Sequence, residues 1–312
     1  MCISLFRGAS MRAVVLHEYG GPEKLKYEVV PDPIAGKGEV LVRVAATSVN
    51  PVDYKMRSGE AKEHFPLEFP AIIGRDLSGI VREVGEGVTG FAAGDKVMTF
   101  ATKTYAELVV VKATDLALVP EKLDLVHAAA LPLVTLTGEQ LITRGTRIQS
   151  GQTVLVSGAV GSVGRSAVWT AKKAGAVVFA GVKKSQLKDA ETLKADHVIA
   201  LDDAAAMEKL GFVDAVADTV GGETANKLLA KVKQGGVFAS VLGPPSDAKL
   251  HPTVKIEPVR AVPDAKTLRR MAEDLVAGQF AIPIDRMVSL AEAGPAQEAA
   301  AKGGIGKILL LA

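Results

Sequence analysis

The sequence has little cysteine, little net charge and no long apolar run. Its single cysteine, Cys2, excludes a disulfide within the chain and a zinc site built on several thiolates. The 37 Lys and Arg residues nearly balance the 35 Asp and Glu residues, which leaves a net charge of +2. Because the basic residues are spread along the chain, we expect no nucleic-acid partner and no membrane partner. No apolar run reaches the ~18 residues that span a bilayer, and the cysteine usage suits a reducing compartment, the cytoplasm.

The chain of 312 residues is long enough for two domains, since single cores rarely grow beyond about 250–300 residues. Hydrophobic residues make up 48% and charged residues 23%, as is typical of a globular protein with a sizeable core. The opening stretch, MCISLFRGAS, is too short for a secretory signal. Patterned sequence begins at Met11, so we expect residues 1–10 to be a disordered extension.

Two hydrophobic patterns divide the chain. Residues 11–126 contain short β-like runs separated by glycine turns, a pattern that indicates a small barrel or sandwich. Over residues 127–264 apolar strands alternate with helices, which predicts an α/β, doubly wound parallel sheet of the Rossmann type. The last strand, GKILLLA, has no partner in the alternating region. It is therefore predicted to return to the N-terminal β-domain, which would comprise residues 11–126 and 265–312.

A glycine turn follows the predicted strand TVLVS and opens a helix. Its form is A-x-G-x-x-G, with Ala159 where the dinucleotide fingerprint has its first glycine, a place that tolerates a methyl group if φ is negative. Gly161 would let the backbone approach a pyrophosphate, and Gly164 would let the helix pack closely on the strand. An ordinary structural turn is the alternative. The predicted cofactor-binding turn consists of Gly158, Ala159, Val160, Gly161, Ser162, Val163 and Gly164.

The end of the next strand indicates which dinucleotide binds. An NAD site usually places Asp or Glu there, to accept from the ribose 2′-hydroxyl. This chain has Lys183, Lys184 and Ser185 instead, with no acid before Asp189. Two ammonium groups and a hydroxyl suit a 2′-phosphate, so NADPH is the predicted cofactor; a solvated helix start is the alternative. Thr219 and the pair Leu242–Gly243 end two later strands and are expected to border the cofactor.

Six segments occur in an order that is specific as a set. They are SVNPVDYKMRSG (48–59), IIGRDLSGIVREVGEGVTGFAAGDKVM (72–98), YAELVVV (105–111), AALPLVTLTGEQLI (129–142), GQTVLVSGAVGSVGRSAV (151–168) and GGIGKILL (303–310). Through them the chain resembles the zinc-independent quinone oxidoreductase branch of the medium-chain dehydrogenase/reductase superfamily, over nearly all of residues 11–312. The resemblance implies a GroES-like β-domain built from both ends of the chain, a Rossmann domain between them, NADPH as cofactor and a homodimer.

The resemblance also implies catalytic residues in the motif NPVDYK. Lys55 resembles the lysine that contacts cofactor and substrate oxygen in enone-reducing members, and it is the predicted main donor. Asn50 would supply an amide N–H, Asp53 would orient Lys55 or Asn50, and Tyr54 would donate a proton or line the pocket. Thr137 stands where family members place a threonine near the nicotinamide. Each has an ordinary structural alternative: a turn, a helix cap, packing, a surface lysine or a bond within a helix.

Two departures from zinc-dependent relatives matter. Those relatives have a Cys and a His in the segments that here contain Asn50 and Arg75, and the five histidines of this chain show no ligand spacing. We therefore expect no metal and a reductase that transfers hydride from NADPH to quinones or to the C=C of α,β-unsaturated ketones and aldehydes. The alternatives are an enoyl-thioester reductase and an NADPH-binding sensor or structural protein with little turnover.

Overall fold

The computed structural model describes residues 9–312. Residues 1–8 of the expected extension lie outside the described residues, and Ser10 already belongs to the first strand. The contacts divide the chain into two compact units. Unit 1 comprises the described residues up to Pro132, Pro263–Val276 and Ile284–Ala312, and unit 2 comprises Leu133–Val262 and Ala277–Pro283. No helix within residues 9–312 is long and apolar enough to cross a membrane.

The described residues contain sixteen strands and nine α-helices. The strands are β1 (Ser10–Leu16), β2 (Leu25–Pro31), β3 (Glu39–Ser48), β4 (Ala71–Ile72), β5 (Asp76–Val84), β6 (Lys96–Phe100), β7 (Leu108–Lys112), β8 (Ala117–Leu118), β9 (Thr153–Ser157), β10 (Val177–Val182), β11 (His197–Ala200), β12 (Val213–Asp218), β13 (Val232–Ser240), β14 (Lys255–Pro258), β15 (Ile284–Ser289) and β16 (Lys307–Leu311). The helices are α1 (Pro51–Ser58), α2 (Leu125–Ala128), α3 (Pro132–Gln140), α4 (Ser162–Lys173), α5 (Leu187–Ala190), α6 (Ala204–Lys209), α7 (Gly222–Leu229), α8 (Ala265–Val276) and α9 (Ala293–Ala301).

Unit 2 is built on a parallel sheet of six strands in the order β11-β10-β9-β12-β13-β14. This is the strand order of the Rossmann fold, and the predicted α/β architecture is confirmed. The central strand β9 buries Val154, Leu155 and Val156 completely, as expected of a strand covered on both faces. The strand order reverses between β9 and β12, and ligands of such sheets bind outside the carboxyl ends of the strands at this point.

Unit 1 is a β-structure of two sheets. A seven-stranded sheet runs in the order β15-β16-β3-β5-β6-β8, with β7 also pairing β3, and a three-stranded sheet runs β2-β1-β4. Apolar side chains from both sheets form one core, among them Ala13 and Val15 of β1 and Val42 and Leu77 of the larger sheet. The short strands and glycine turns of the sequence thus give the β-domain that they predicted.

The C-terminal strand joins unit 1, as predicted. β16 pairs antiparallel with β3, so that Leu309 lies opposite Ser48 and Leu311 opposite Ala46. The amide N–H of Val49 also donates to the carbonyl oxygen of Ile308, 3.0 Å away. This pairing places Lys307, at the start of β16, beside the point where the chain leaves β3 and enters α1.

Two segments between strands of the parallel sheet form only short helices. The segment SQLKDAETLKAD forms only the short helix α5 with 3-10 turns on either side, and Lys194 ends it in a left-handed conformation with φ 53°. The segment ETANKLLAKVK leaves the helix after Leu229 because Val232 pairs with Val213 in the parallel sheet. Here strand pairing outweighs the local helix preference.

Candidate functional site

The glycine turn of unit 2 lies between β9 and α4, and each glycine has a different reason to be there. Gly158 has φ +62°, and a Cβ on it would lie 2.5 Å from Thr219 Oγ1. A Cβ on Gly164 would lie 2.3 Å from the Gly158 carbonyl oxygen and 2.7 Å from Ala159 Cα, so only glycine lets the helix approach the turn this closely. Ala159 is buried with a negative φ, which explains why alanine is accepted at its position.

The N-terminus of α4 is open. Its N-cap, Gly161, is extended (φ −70°, ψ 162°) and provides no side-chain cap for the first N–H groups of the helix. Ser162 and Val163 in the first turn are partly accessible, whereas Ala159 and Val160 are buried. Uncapped N–H groups at the positive end of a helix attract an anion. This part of the chain therefore fits the pyrophosphate of a dinucleotide.

A buried carboxylate, Asp218 at the end of β12, accepts hydrogen bonds from residues at the carboxyl ends of β9 and β13. Its Oδ1 accepts from Ser157 Oγ of β9 at 2.8 Å and from the amide N–H groups of Val220 and Gly221, each at 3.1 Å. Its Oδ2 accepts from Ser240 Oγ of β13 at 2.7 Å. An acid at the end of the apolar strand VDAVAD is the sequence signal that would have pointed to it.

The same network holds the other predicted cofactor residues at these strand ends. Thr219 donates its amide N–H to Ser157 Oγ at 2.9 Å and its hydroxyl to the Ser157 carbonyl oxygen at 2.7 Å. Leu242 donates its amide N–H to Ser240 Oγ at 3.0 Å, and its side chain remains 52% exposed. Gly243 follows with φ +94°. Turn and strand ends therefore come together at one edge of the sheet.

Thr137 lies in α3, which packs against the first turn of α4. A Cβ on the neighbouring Gly138 would lie only 2.4 Å from the Val163 carbonyl oxygen, which shows how close the two helices are. The Thr137 hydroxyl donates to the Leu133 carbonyl oxygen at 2.6 Å, one turn back in its own helix. A role for Thr137 toward the nicotinamide stays a prediction.

The three predicted 2′-phosphate ligands are exposed but not equivalent. Lys184 pairs with Asp203 (Nζ to Oδ2, 3.1 Å), and its amide N–H donates to Asp202 Oδ1 at 2.7 Å. Across the described part of the chain, the Lys183 ammonium makes no ion pair and no hydrogen bond. Ser185 is exposed in the 3-10 turn that follows. Of these two lysines, Lys183 is therefore the one whose ammonium is more available to an incoming anion.

In unit 1, Asp53 is sealed inside the start of α1. Its Oδ2 accepts from the Asn50 amide N–H at 2.8 Å and from the Tyr105 hydroxyl at 3.2 Å, and the residue is fully buried. Burial raises the pKa of Asp53 from 3.8 to about 7; the hydrogen bond from Asn50 opposes this, Asp76 adds to it, and Lys307 opposes it. Asp53 thus acts as the helix cap that the sequence offered as an alternative.

The Asn50 side chain points into the same buried cluster. Its Oδ1 accepts from Lys307 Nζ at 2.6 Å, and its Nδ2 donates to Asp76 Oδ2 at 2.7 Å. The whole residue is 1% exposed. Its amide is committed to these partners, so the geometry does not support the predicted role of Asn50 as a donor to the substrate.

Tyr54 and Lys55 are partly accessible polar residues of α1. Both are half-buried, and the Lys55 side chain is 37% exposed with its Nζ 2.9 Å from Glu60 Oε1. Burial raises the pKa of Tyr54, so its hydroxyl stays protonated and able to donate. The four residues predicted to be catalytic thus lie together but in two sets, with Asn50 and Asp53 turned inward.

Arg75 and Asn50, which stand where zinc-dependent relatives have ligands, do not fit zinc. Arg75 has no lone pair to offer, and its guanidinium lies 4.8 Å from the Phe65 ring centre, with Nη2 3.6 Å from Met56 Sδ. The Asn50 amide is already committed to Lys307 and Asp76. Within residues 9–312 no group of three or more His, Cys, Asp or Glu side chains is arranged to hold a metal ion.

Two protein families match parts of the chain. Residues 36–121 match the family described as "Alcohol dehydrogenase GroES-like domain", and residues 193–310 match the family described as "Zinc-binding dehydrogenase". The first match confirms the GroES-like domain that was predicted.

Several curated proteins are similar over much of the chain. It is 35% identical to the chloroplast envelope quinone oxidoreductase homolog of Arabidopsis thaliana, over 62% of this chain and 61% of that protein. It is 32% identical to the mitochondrial NAD(P)H oxidoreductase RTN4IP1 of Mus musculus, over 76% and 67% respectively. It is 31% identical to the 2-haloacrylate reductase of a Burkholderia species, over 81% and 77%. Against the first of these, the chain spans only about three fifths of the relative's length.

Solved structures share the architecture. The quinone oxidoreductase from Coxiella burnetii superposes with a TM-score of 0.86 at 27% identity, covering 97% of this chain and 100% of that one. An NAD-dependent alcohol dehydrogenase gives a TM-score of 0.85, also at 27% identity, with coverage of 97% and 100%. These matches confirm the predicted fold class.

The middle and last glycines of the turn, Gly161 and Gly164, predict opposite phenotypes. Gly164→Ala forces a Cβ against backbone atoms, and we expect it to lower the free energy of unfolding by about 1–3 kcal/mol. Gly161→Ala meets only the Gly158 carbonyl oxygen, at 3.2 Å, so it should fold with little loss of stability. Because its methyl group stands where the backbone would meet a pyrophosphate, it should weaken NADPH binding by about tenfold. Urea unfolding and a fluorescence titration with NADPH check the pair. An NADPH affinity of Gly161→Ala equal to that of the parent would contradict binding of the pyrophosphate at this turn.

The raised pKa of Asp53 predicts that stability falls as pH rises through 7. The folded protein holds this proton with a pKa of about 7 and the unfolded chain with 3.8, so the contribution is fully present below 3.8 and lost as pH rises through 7. Between about pH 6 and about pH 8 we expect a loss on the order of 1 kcal/mol. Asp53→Asn keeps an acceptor for the Asn50 N–H but cannot ionise, so it should lack this loss. Urea unfolding of both proteins at both pH values measures it, and identical pH dependence would refute the assignment.

Proposed function

Because this chain belongs to the quinone oxidoreductase branch of the medium-chain dehydrogenase/reductase superfamily, we propose that it is an NADPH-dependent, metal-free reductase. Its acceptors are proposed to be quinones or the C=C of α,β-unsaturated ketones and aldehydes. The observation that carries the proposal is the uncapped N-terminus of α4 behind a glycine turn at the switch point of a parallel sheet. On the family resemblance we also propose a cytoplasmic homodimer, although two relatives are named for the chloroplast envelope and the mitochondrion.

The residues of unit 2 would hold the cofactor. The N–H groups of the first turn of α4 would receive the pyrophosphate, and the loops at Thr219 and Leu242–Gly243, fixed by Asp218, would border its central part. When bound, a reduced nicotinamide supplies the hydride that reduces the acceptor. Since the loops are already held by hydrogen bonds among protein groups, binding would cost little reordering.

Lys55 is proposed as the group that stabilises the reduced acceptor. Addition of hydride to a conjugated C=C leaves negative charge on the carbonyl oxygen, and the donors of this chain do not fit a metal ion that would take up that charge. An ammonium group supplies a strong charge-assisted hydrogen bond to such an oxygen. Tyr54, which stays protonated, is the neighbouring donor on the same helix. The relative named 2-haloacrylate reductase supports an activated C=C as one acceptor class.

The choice of NADPH over NADH rests on Lys183. It stands at the end of β10, where NAD sites place an acid, and its ammonium is not engaged by the described residues. The carboxylates of Asp202 and Asp203 lie nearby, but Lys184 contacts both of them through its amide N–H and its ammonium. The Lys183 ammonium would therefore be left to receive a 2′-phosphate.

Replacing Lys183 should separate the two cofactors. We expect Lys183→Ala to raise the Kd for NADPH by about tenfold or more, because a charge-assisted bond to phosphate is lost, and to leave the Kd for NADH within about twofold. Lys184→Ala is the matched comparison, and its smaller effect on NADPH is expected because that ammonium already has Asp203 as partner. Fluorescence titrations with both cofactors measure the four values. Equal losses for NADPH and NADH in Lys183→Ala would contradict the assignment of the 2′-phosphate.

The reaction itself is tested with a panel of acceptors. NADPH oxidation is followed with phenanthrenequinone, an acrolein-type enal and a crotonyl thioester, in the parent protein and in Lys55→Met. We expect turnover with the quinone or the enal, and a loss of about a hundredfold or more in kcat for Lys55→Met, with NADPH affinity within a few fold. Lys62→Met, an exposed lysine just beyond the helix, serves as the control and should behave like the parent.

The outcomes separate the candidate functions. Turnover of the thioester alone would favour the enoyl-thioester reductase. Tight NADPH binding without turnover of any acceptor would favour a binding protein. A loss of NADPH affinity in Lys55→Met without a loss of kcat would make Lys55 a cofactor anchor instead of a donor to the acceptor.

A further inference from the structure

Lys307, in the segment GKILL, is a buried lysine that the sequence reasoning did not single out. It begins β16 and is 5% exposed. Its ammonium lies 2.6 Å from Asn50 Oδ1, 2.9 Å from the Val49 carbonyl oxygen and 3.7 Å from Asp76 Oδ2. An ammonium group removed from water is costly unless it is paired and hydrogen-bonded. The three oxygens satisfy it, and two of them belong to the residues that lead into α1.

The contacts of Lys307 converge on the start of α1. Val49 is the last residue before the N-cap, and Asn50 is the N-cap itself. Val49 is held a second time by its N–H bond to the Ile308 carbonyl oxygen, at 3.0 Å. Two successive residues of β16 therefore hold the two residues that set where the helix begins and in which direction it runs.

This arrangement is not what helix stability alone requires. An asparagine N-cap ordinarily uses its side-chain oxygen to accept from the first turn of its own helix. Here that oxygen accepts from Lys307 Nζ, at 2.6 Å. A cation beside a helix N-terminus also opposes the helix dipole. The network holds the Asn50 side chain in a fixed position between Lys307 and Asp76.

We propose that Lys307 is a positioning residue of the reductase: its ammonium fixes Asn50, and thereby the direction in which α1 presents Tyr54 and Lys55. The proposal rests on the proposed function of Lys55. The helix has only eight residues, so a small tilt at its N-cap moves both side chains. Misplacement of a reacting group by about 1 Å costs about a hundredfold in rate.

The rival explanation is that Lys307 merely neutralises Asp76. A double variant, Lys307→Met with Asp76→Asn, distinguishes the two. It removes both charges together, keeps the side-chain volumes nearly constant, and leaves residue 76 with an amide oxygen for Asn50 Nδ2 and Ser48 Oγ. The buried charges stay balanced, but nothing holds Asn50 Oδ1 any longer. Lys302→Met is the matched control, because Lys302 is exposed and near in sequence and pairs only with Glu298 on its own helix.

The measurements are Tm, NADPH Kd by titration, and kcat and KM for the acceptor, each expressed per folded enzyme. For the double variant we expect a Tm near that of the parent, an NADPH Kd within about twofold, and a kcat lowered by about tenfold to a hundredfold. The KM for the acceptor should change much less than kcat. Lys302→Met should match the parent in all four quantities. This split between kcat and both affinities is not what a merely destabilised protein would show.

Recovery of parental kcat in the double variant would overturn the proposal and leave Lys307 as a charge partner of Asp76. If the double variant does not fold, Lys307→Arg decides the matter, since it keeps the cation but is longer and displaces Asn50. Its kcat should fall by about tenfold at unchanged NADPH Kd, and parental kcat in it would overturn the proposal. Absence of turnover in the parent protein would instead contradict the proposed function, and the positioning role of Lys307 would fall with it.

Discussion

The pairing of β16 with β3 is the interaction on which the architecture of unit 1 depends. It brings residues near 310 beside residues near 47 and completes a sheet that neither end of the chain forms alone. Contacts of such sequence separation carry a large loop-closure cost, which the apolar residues of β16 offset by burial. The same pairing delivers Lys307 to the start of α1. The geometry of the NPVDYK motif is therefore set by residues more than 250 positions away.

Both units use a buried carboxylate to fix the ends of strands from which functional residues emerge. In unit 2, Asp218 accepts from the hydroxyls of Ser157 and Ser240 and so holds the loops at the carboxyl edge of the parallel sheet. In unit 1, Asp76 accepts from the hydroxyl of Ser48, at 2.5 Å, and from Asn50. Hydrogen-bonded buried networks of this kind rigidify their surroundings, which is what a preorganised site needs.

The sequence allowed the fold to be predicted wherever the relevant signal was local. Hydrophobic period and glycine placement predicted the alternating strands and the turn at Gly158–Gly164, and the unpartnered last strand predicted its return to unit 1. The site was only partly predictable, because the partners of its polar residues are distant in sequence. Nothing near Asn50 shows that Lys307 will take its amide oxygen, and nothing near Lys184 shows that Asp203 will pair with it.

The electrostatics of the buried cluster explain why α1 carries two kinds of polar residue. Asp53 and Asp76 share one nearby buried ammonium, that of Lys307, and burial penalises every charge among them. Burial raises the pKa of Asp53 to about 7, so this carboxyl group keeps its proton up to near neutral pH and one of these buried charges is removed. The charges of Asp53, Asp76 and Lys307 are thus compensated within the buried cluster. Lys55 lies outside the cluster, where its ammonium pairs with the exposed Glu60 and its side chain remains accessible to solvent.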